Sequence, residues 1–215
     1  WDFLSIPSAY FRDTFVPAFR YERAQLPVGS PRNDVLVSDT AGISAAKERL
    51  DLDPAKTSVL YAPTFRTRGQ ASLELDLTEL VDDLGEDYQI LLRPHYLNRI
   101  AVPPHLRGRV IDVSGIADTA QVLQAADILV SDYSSIIFDY LSLDRPIILY
   151  AYDLDDYANS ARGTYFDLRD HRPGPLVTDQ EELVAAIRAA GDDEAEPLRR
   201  RFREDFVGTE PGDVA

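Results

Sequence analysis

The sequence predicts an α/β domain built on a doubly wound, mostly parallel sheet, and two observations carry that expectation. Short apolar runs alternate with segments of helical spacing from about residue 40 onward, the pattern of consecutive βαβ units. Ile128 to Tyr150 reads as one such unit in full: an apolar run (Ile128, Leu129, Val130), a polar turn (Ser131 to Ser135), an apolar-rich helical segment, and a second apolar run (Ile147, Ile148, Leu149) after Asp144-Arg145-Pro146. Such a unit places its polar turn at the carboxyl edge of the sheet, where helix N-termini face outward and an anion is at home.

Taken in order, residues 1–34 are rich in aromatics and proline and show no long helical period. They are expected to be the tail of a preceding domain and a connection that packs against something, with 35–215 as the domain proper. Gly29 to Asp34 (GSPRND) is a turn cluster. Ile43, Ala46 and Leu50 are helically spaced, with Ser38, Asp39 or Thr40 as cap, and Asp53-Pro54 ends that helix. Ser58 to Ala62 is the first buried strand, leaving through Pro63-Thr64-Phe65-Arg66 into a polar loop of the kind that builds sites. Leu73, Leu77, Leu80, Val81 and Leu84 mark a helix closed by Gly85. Tyr88 to Leu92 is a strand leaving through Arg93-Pro94-His95, Arg109 to Val113 a third, and Ala117 to Ala126 a short helix that Asp118 can cap. After Tyr150 a long polar and aromatic segment runs to Gly174, Leu176-Val177 is a short strand, Asp179 to Ala190 is a helix, and a highly charged helix follows from Glu196 to about Phe206. No internal repeat is visible.

Composition narrows the function classes. Twenty-two basic residues stand against 37 acidic ones, a formal charge of −15, which argues against a nucleic-acid surface or a polybasic membrane anchor, so any anion site must be local. Zero cysteines exclude disulfides, thiolate zinc sites and thiol catalysis and fit a reducing compartment. No apolar stretch approaches transmembrane length. Methionine is absent even from position 1, so a fragment or processed product is expected.

Each candidate site residue has two readings. Asp132, Ser134 and Ser135 either cap a helix or bind phosphate at a βα turn; no glycine-rich fingerprint supports a dinucleotide or P-loop site. His95 is either a surface-loop histidine or, beside Arg93 at a strand exit, half of a phosphate-binding pair. Arg66 and Arg162 are either solvated loop arginines or neutralise a diphosphate at the carboxyl edge. Asp139 is either a helix-face aspartate or accepts hydrogen bonds from a ribose diol. His105 and His171 read as structural. Asp153, Asp155 and Asp156 lack the glycine and terminal glutamate of a calcium loop and read as solvated, so no metal site is expected.

Five strings together resemble the CDP-glycerol glycerophosphotransferase family, the teichoic-acid primases and polymerases with related capsule polymerases: Val28 to Asp34, Leu60 to Arg66, Leu92 to His95, Val130 to Tyr140, and Tyr152-Asp153-Leu154-Asp155-Asp156-Tyr157 through Arg162-Gly163. Their order and spacing match over nearly the whole chain. The resemblance implies one Rossmann-like half of a GT-B architecture, the half that binds the donor nucleotide. It implies CDP-glycerol as donor, a polyol-phosphate or glycan acceptor, release of CMP after attack at the β-phosphorus, no required cofactor, and a missing N-terminal domain that supplies the catalytic base. By position, Arg66, His95, Ser134 and Ser135 would contact the diphosphate, with Arg93 beside them, and Asp139 would lie near the ribose. The fragment alone is then expected to be inactive. The full protein is expected in the cytoplasm, peripheral at the inner face of the membrane and touching it only through other segments. The alternatives are a GT-B glycosyltransferase using a nucleotide sugar and a non-catalytic regulatory or scaffold domain.

Overall fold

A computed structural model of the chain describes residues 2–38, 42–64, 75–94, 100–155 and 166–208. In chain order its elements are β1 (Phe3–Ser5), α1 (Ala9–Ala18), β2 (Ala24–Leu26), α2 (Asp34–Ser38), α3 (Gly42–Arg49), β3 (Thr57–Tyr61), α4 (Leu77–Leu84), β4 (Tyr88–Leu92), β5 (Val110–Asp112), α5 (Thr119–Ala125), β6 (Ile128–Ser131), α6 (Ile136–Tyr140), β7 (Ile147–Tyr150), β8 (Leu176–Val177), α7 (Gln180–Ala189) and α8 (Glu196–Phe202).

Six strands form one sheet in the order β5-β4-β3-β6-β7-β8, and every neighbouring pair is parallel. The chain steps outward from β3 to β4 and β5, returns to the other side of β3 as β6, and continues to β7 and β8. The strand order therefore reverses between β3 and β6, the switch point at which open α/β sheets bind ligands. Register there is set by Val59 opposite Ile128 and Tyr61 opposite Val130, and the pairing is extended when the Ala62 amide donates to the Val130 carbonyl at 3.0 Å.

Alternating side chains divide between the two faces. Leu60, Leu91, Leu129 and Leu149 pack with Ala46, Leu123, Ile137 and Tyr140, while Val59, Ile90, Val130 and Ile148 pack with Leu80, Val81, Leu84, Leu183 and Ile187. Apolar strands with no exposed face follow from this two-sided cover. The caps read from the sequence are in place: the Asp118 carboxylate accepts from the Ala120 amide at 3.0 Å, and Gly85 closes α4 at φ +83°. Arg109 adds to that closure, its Nη2 donating to the Gly85 carbonyl at 2.8 Å.

Two regions depart from expectation. Residues 9–18, read as lacking helical period, form α1. Its start is fixed by Ser8, whose hydroxyl accepts from the Phe11 amide at 3.1 Å. Phe11, Phe15 and Phe19 stack along one side at centroid separations of 4.4 and 4.1 Å. Pro17 in the last turn disguised this i, i+4 series as a broken one. The charged C-terminal helix begins at Glu196 and runs about as far as expected, but its winding changes from α to π after Phe202 and continues so to Val207. Within it Arg199 is not solvent-facing but only 1% exposed. It donates from Nε to Asp144 at 3.0 Å and from Nη1 and Nη2 to the two oxygens of Asp193, each at 2.8 Å. Both aspartates sit in left-handed backbone, at φ 50° and 48°. The Arg199 hydrogen bond holds the Asp193 carboxyl below the usual carboxylate range.

Candidate functional site at the switch point

The carboxyl ends of β3 and β6 are tied together by side chains from β6. The Ser131 hydroxyl donates to the Ala62 carbonyl at 2.7 Å. Asp132, 1% exposed, accepts from the Thr64 amide at 2.8 Å, from the Thr64 hydroxyl at 2.6 Å, and from the Tyr133 amide at 2.6 Å. Asp132 thus shapes the β3 exit. From the same turn the Tyr133 hydroxyl donates to Asp153 at 3.1 Å, drawing in the exit of β7.

Arg93 sits at the exit of β4, half-buried, and turns inward. Its Nη1 donates to the carbonyls of Val113 and Ile116 at 2.8 and 3.0 Å, and its Nη2 to the Thr119 hydroxyl at 3.1 Å. Burial lowers its pKa. This guanidinium fastens the loop between β5 and α5 to the β4 exit with three of its five N–H donors.

Ser134 and Ser135 stand at the start of α6 with little other work. The Ile136 amide reaches the Ser134 hydroxyl only at 3.4 Å, and Ser135 makes no side-chain capping bond. Among the described residues, capping thus leaves both hydroxyls largely uncommitted. Asp139, one turn further along α6, meets Arg32 from the GSPRND turn: Nε donates to Oδ1 at 3.0 Å, and Nη2 lies 2.9 Å from the same oxygen in the ion pair. Sequence reasoning treated Arg32 only as part of a turn, and a bond across 107 residues has no local signal.

Beside the switch point an open groove of about 580 Å³ lies past the ends of β7 and β8, with Asp153, Asp155, Glu182 and Arg169 on its rim. Arg169 is paired with Asp155 and Asp167, so the rim is acidic and suits no phosphate. Of the histidines read as structural, His105 lies 3.2 Å from the Thr78 hydroxyl and His171 packs edge-on to Phe166 and Phe206. Among the described residues no group of three His, Cys, Asp or Glu could hold a metal ion. Arg66, His95 and Arg162 lie outside the described residues, as does Asp156.

The family model described as CDP-glycerol:poly(glycerophosphate) glycerophosphotransferase matches residues 1–215. The chain belongs to this family. Among curated members, the teichoic acid glycerol-phosphate transferase of Staphylococcus aureus is 37% identical over 100% of this chain and 58% of its own length. The teichoic acid poly(glycerol phosphate) polymerase of Bacillus subtilis is 37% identical over 87% of this chain and 26% of its own. The solved wall teichoic acid polymerase TagF superimposes with a TM-score of 0.89 at 34% identity, covering 99% of this chain and 55% of that one. A crystal of TagF soaked with CDPG gives a TM-score of 0.87. The chain therefore spans between about a quarter and three-fifths of these glycerophosphotransferase relatives, and its sheet is one Rossmann-like part of the GT-B-like fold that TagF displays.

Proposed function

We propose that this chain is the donor-nucleotide-binding half of an enzyme that transfers glycerol phosphate, or a related polyol phosphate, from CDP-glycerol to a teichoic-acid or capsule-like acceptor and releases CMP. The single observation that carries the proposal is the switch-point edge, where two serine hydroxyls, one with a single long capping bond and one with none, stand beside a stitched β3 exit in a chain of glycerophosphotransferase sequence. Residues 35–215 are taken as the donor-binding domain and 1–34 as the connection to a preceding domain, which would supply the base and much of the acceptor site.

In this proposal the acceptor hydroxyl attacks the β-phosphorus, and the bond to the bridging oxygen breaks with CMP as leaving group. The demands on this chain are positioning and charge neutralisation, since the electrons move among substrate oxygens. Ser134 and Ser135 donate to the diphosphate, and Arg66 and His95 stabilise its developing charge. Arg93 and Asp132 shape the loops that carry those groups. No cofactor enters the scheme. No described helix is long and apolar enough to cross a membrane, and peripheral attachment at the inner membrane face would run through other segments of the full protein.

Calorimetry with CDP-glycerol and CDP tests the proposal. Both should bind, and Arg66→Ala or His95→Ala should weaken each by roughly tenfold, the worth of one charge-assisted contact. Displacement by UDP-sugars but not by cytidine nucleotides would overturn it in favour of a sugar transferase.

A further inference from the structure

The GSPRND turn supplies the argument. Pro31 opens a short 3-10 turn, the Asn33 amide closes it onto the Ser30 carbonyl at 2.8 Å, and Asn33 is itself buried. From this anchored backbone Arg32 reaches out with a side chain 70% exposed to meet Asp139, whose side chain is 18% exposed. Its hydrogen bond and its second close contact both fall on one atom, Oδ1. Among the described residues Oδ2 has no donor, so half of a mostly enclosed carboxylate keeps its acceptor capacity. Asp139 follows Ser135 by four residues, which puts the two on one face of α6 about 5–6 Å apart. That separation is the reach from a phosphate near Ser135 to the diol of the attached ribose.

We infer that Arg32 is a positioning residue for ribose recognition. It fixes the rotamer of Asp139 through Oδ1 and so presents Oδ2 to the 2′-hydroxyl of the donor's ribose. The connecting segment would then take part in reading the nucleotide. The inference rests on the donor-site reading above. An exposed ion pair contributes little to stability, so its consequence lies in recognition. A planar guanidinium anchored by its turn directs its Nε donor along a fixed line, whereas a flexible lysine ammonium keeps the charge without that direction.

The test is the affinity of the protein for CDP and for 2′-deoxy-CDP. Wild type should prefer CDP by about tenfold or more, as expected for hydrogen bonds to a charged acceptor. Arg32→Ala should lose most of that preference while 2′-deoxy-CDP affinity stays within about twofold, Arg32→Lys should retain part of it, and Asp139→Ala should abolish it. The double variant should match Asp139→Ala alone, because the two residues act as one unit. Equal weakening of both nucleotides in Arg32→Ala, or no change in either, would overturn the inference while leaving the donor site standing. Failure of wild type to bind either nucleotide would overturn the donor-site reading and the inference with it.

Discussion

Asp132 shows how one buried carboxylate ties two strand exits together. Its oxygens take the amide and hydroxyl of Thr64 and the amide of Tyr133, so the first residues of the β3 exit are held at the sheet edge. Replacing it with alanine leaves those donors buried without an acceptor, a cost of about 1–3 kcal/mol. Asp132→Ala should therefore lower the urea midpoint and also weaken CDP binding, because the loop leading toward Arg66 loses its anchor. Unchanged binding in a destabilised variant would remove the positioning role. The sequence marks Asp132 correctly as special, since an aspartate straight after an apolar strand is unusual. Its tie to Thr64 was not legible, because that partner lies 68 residues away and local capping chemistry is all that a single string can display. Arg93 hides its partners in the same way, since only the fold reveals the carbonyls of Val113 and Ile116 behind it.

At the scale of elements, the central strands were legible because their apolar runs are long enough to be buried on both faces, and the helices between them because caps such as Asp118 and Gly85 bracket their apolar periods. α1 was hidden by Pro17, and the burial of Arg199 by the charge around it. Gly174 was not singled out, yet the pairing of β7 with β8 depends on it. A Cβ there would lie 1.8 Å from the Ile147 carbonyl oxygen. Immediately after it, the Pro175 carbonyl accepts from the Leu149 amide at 2.8 Å, starting the ladder that places Tyr150 beside Val177. Backbone cannot yield as a flexible side-chain tip does, so even one added methyl must push β8 away. Gly174→Ala should cost about 1–3 kcal/mol or more, with faster hydrogen exchange at the Leu149 and Ala151 amides. Wild-type protection at those amides would show that the strand accommodates the methyl.

Over the whole molecule, the first and last described segments are locked together. The Ser8 hydroxyl donates to the Phe206 carbonyl at 2.6 Å, and Tyr10 meets the Phe206 ring edge-on at 4.7 Å. Phe206 in turn stacks on Phe166 at 4.4 Å and touches Phe202 at 4.6 Å. Gly208 completes the lock, for at φ +77° a side chain there would be strained and its Cβ would stand 2.7 Å from the Pro7 carbonyl oxygen. The aromatic cluster thus joins α1 to the C-terminal turn and, through Phe202, to the core face behind β6 and β7. Phe206→Ala empties the centre of that cluster and should cost about 3–5 kcal/mol. The loss should be uneven. The amides of α1 should exchange faster than global unfolding explains, because α1 has no buried residue of its own to hold it down, whereas amides of β3 and β6 should follow global stability alone. Ser8→Ala should shift the same amides by a smaller step, of about 1 kcal/mol. Equal loss of protection across α1 and the central strands in both variants would mean that the connecting segment and the sheet unfold as one unit, and that the aromatic lock is merely part of a common core.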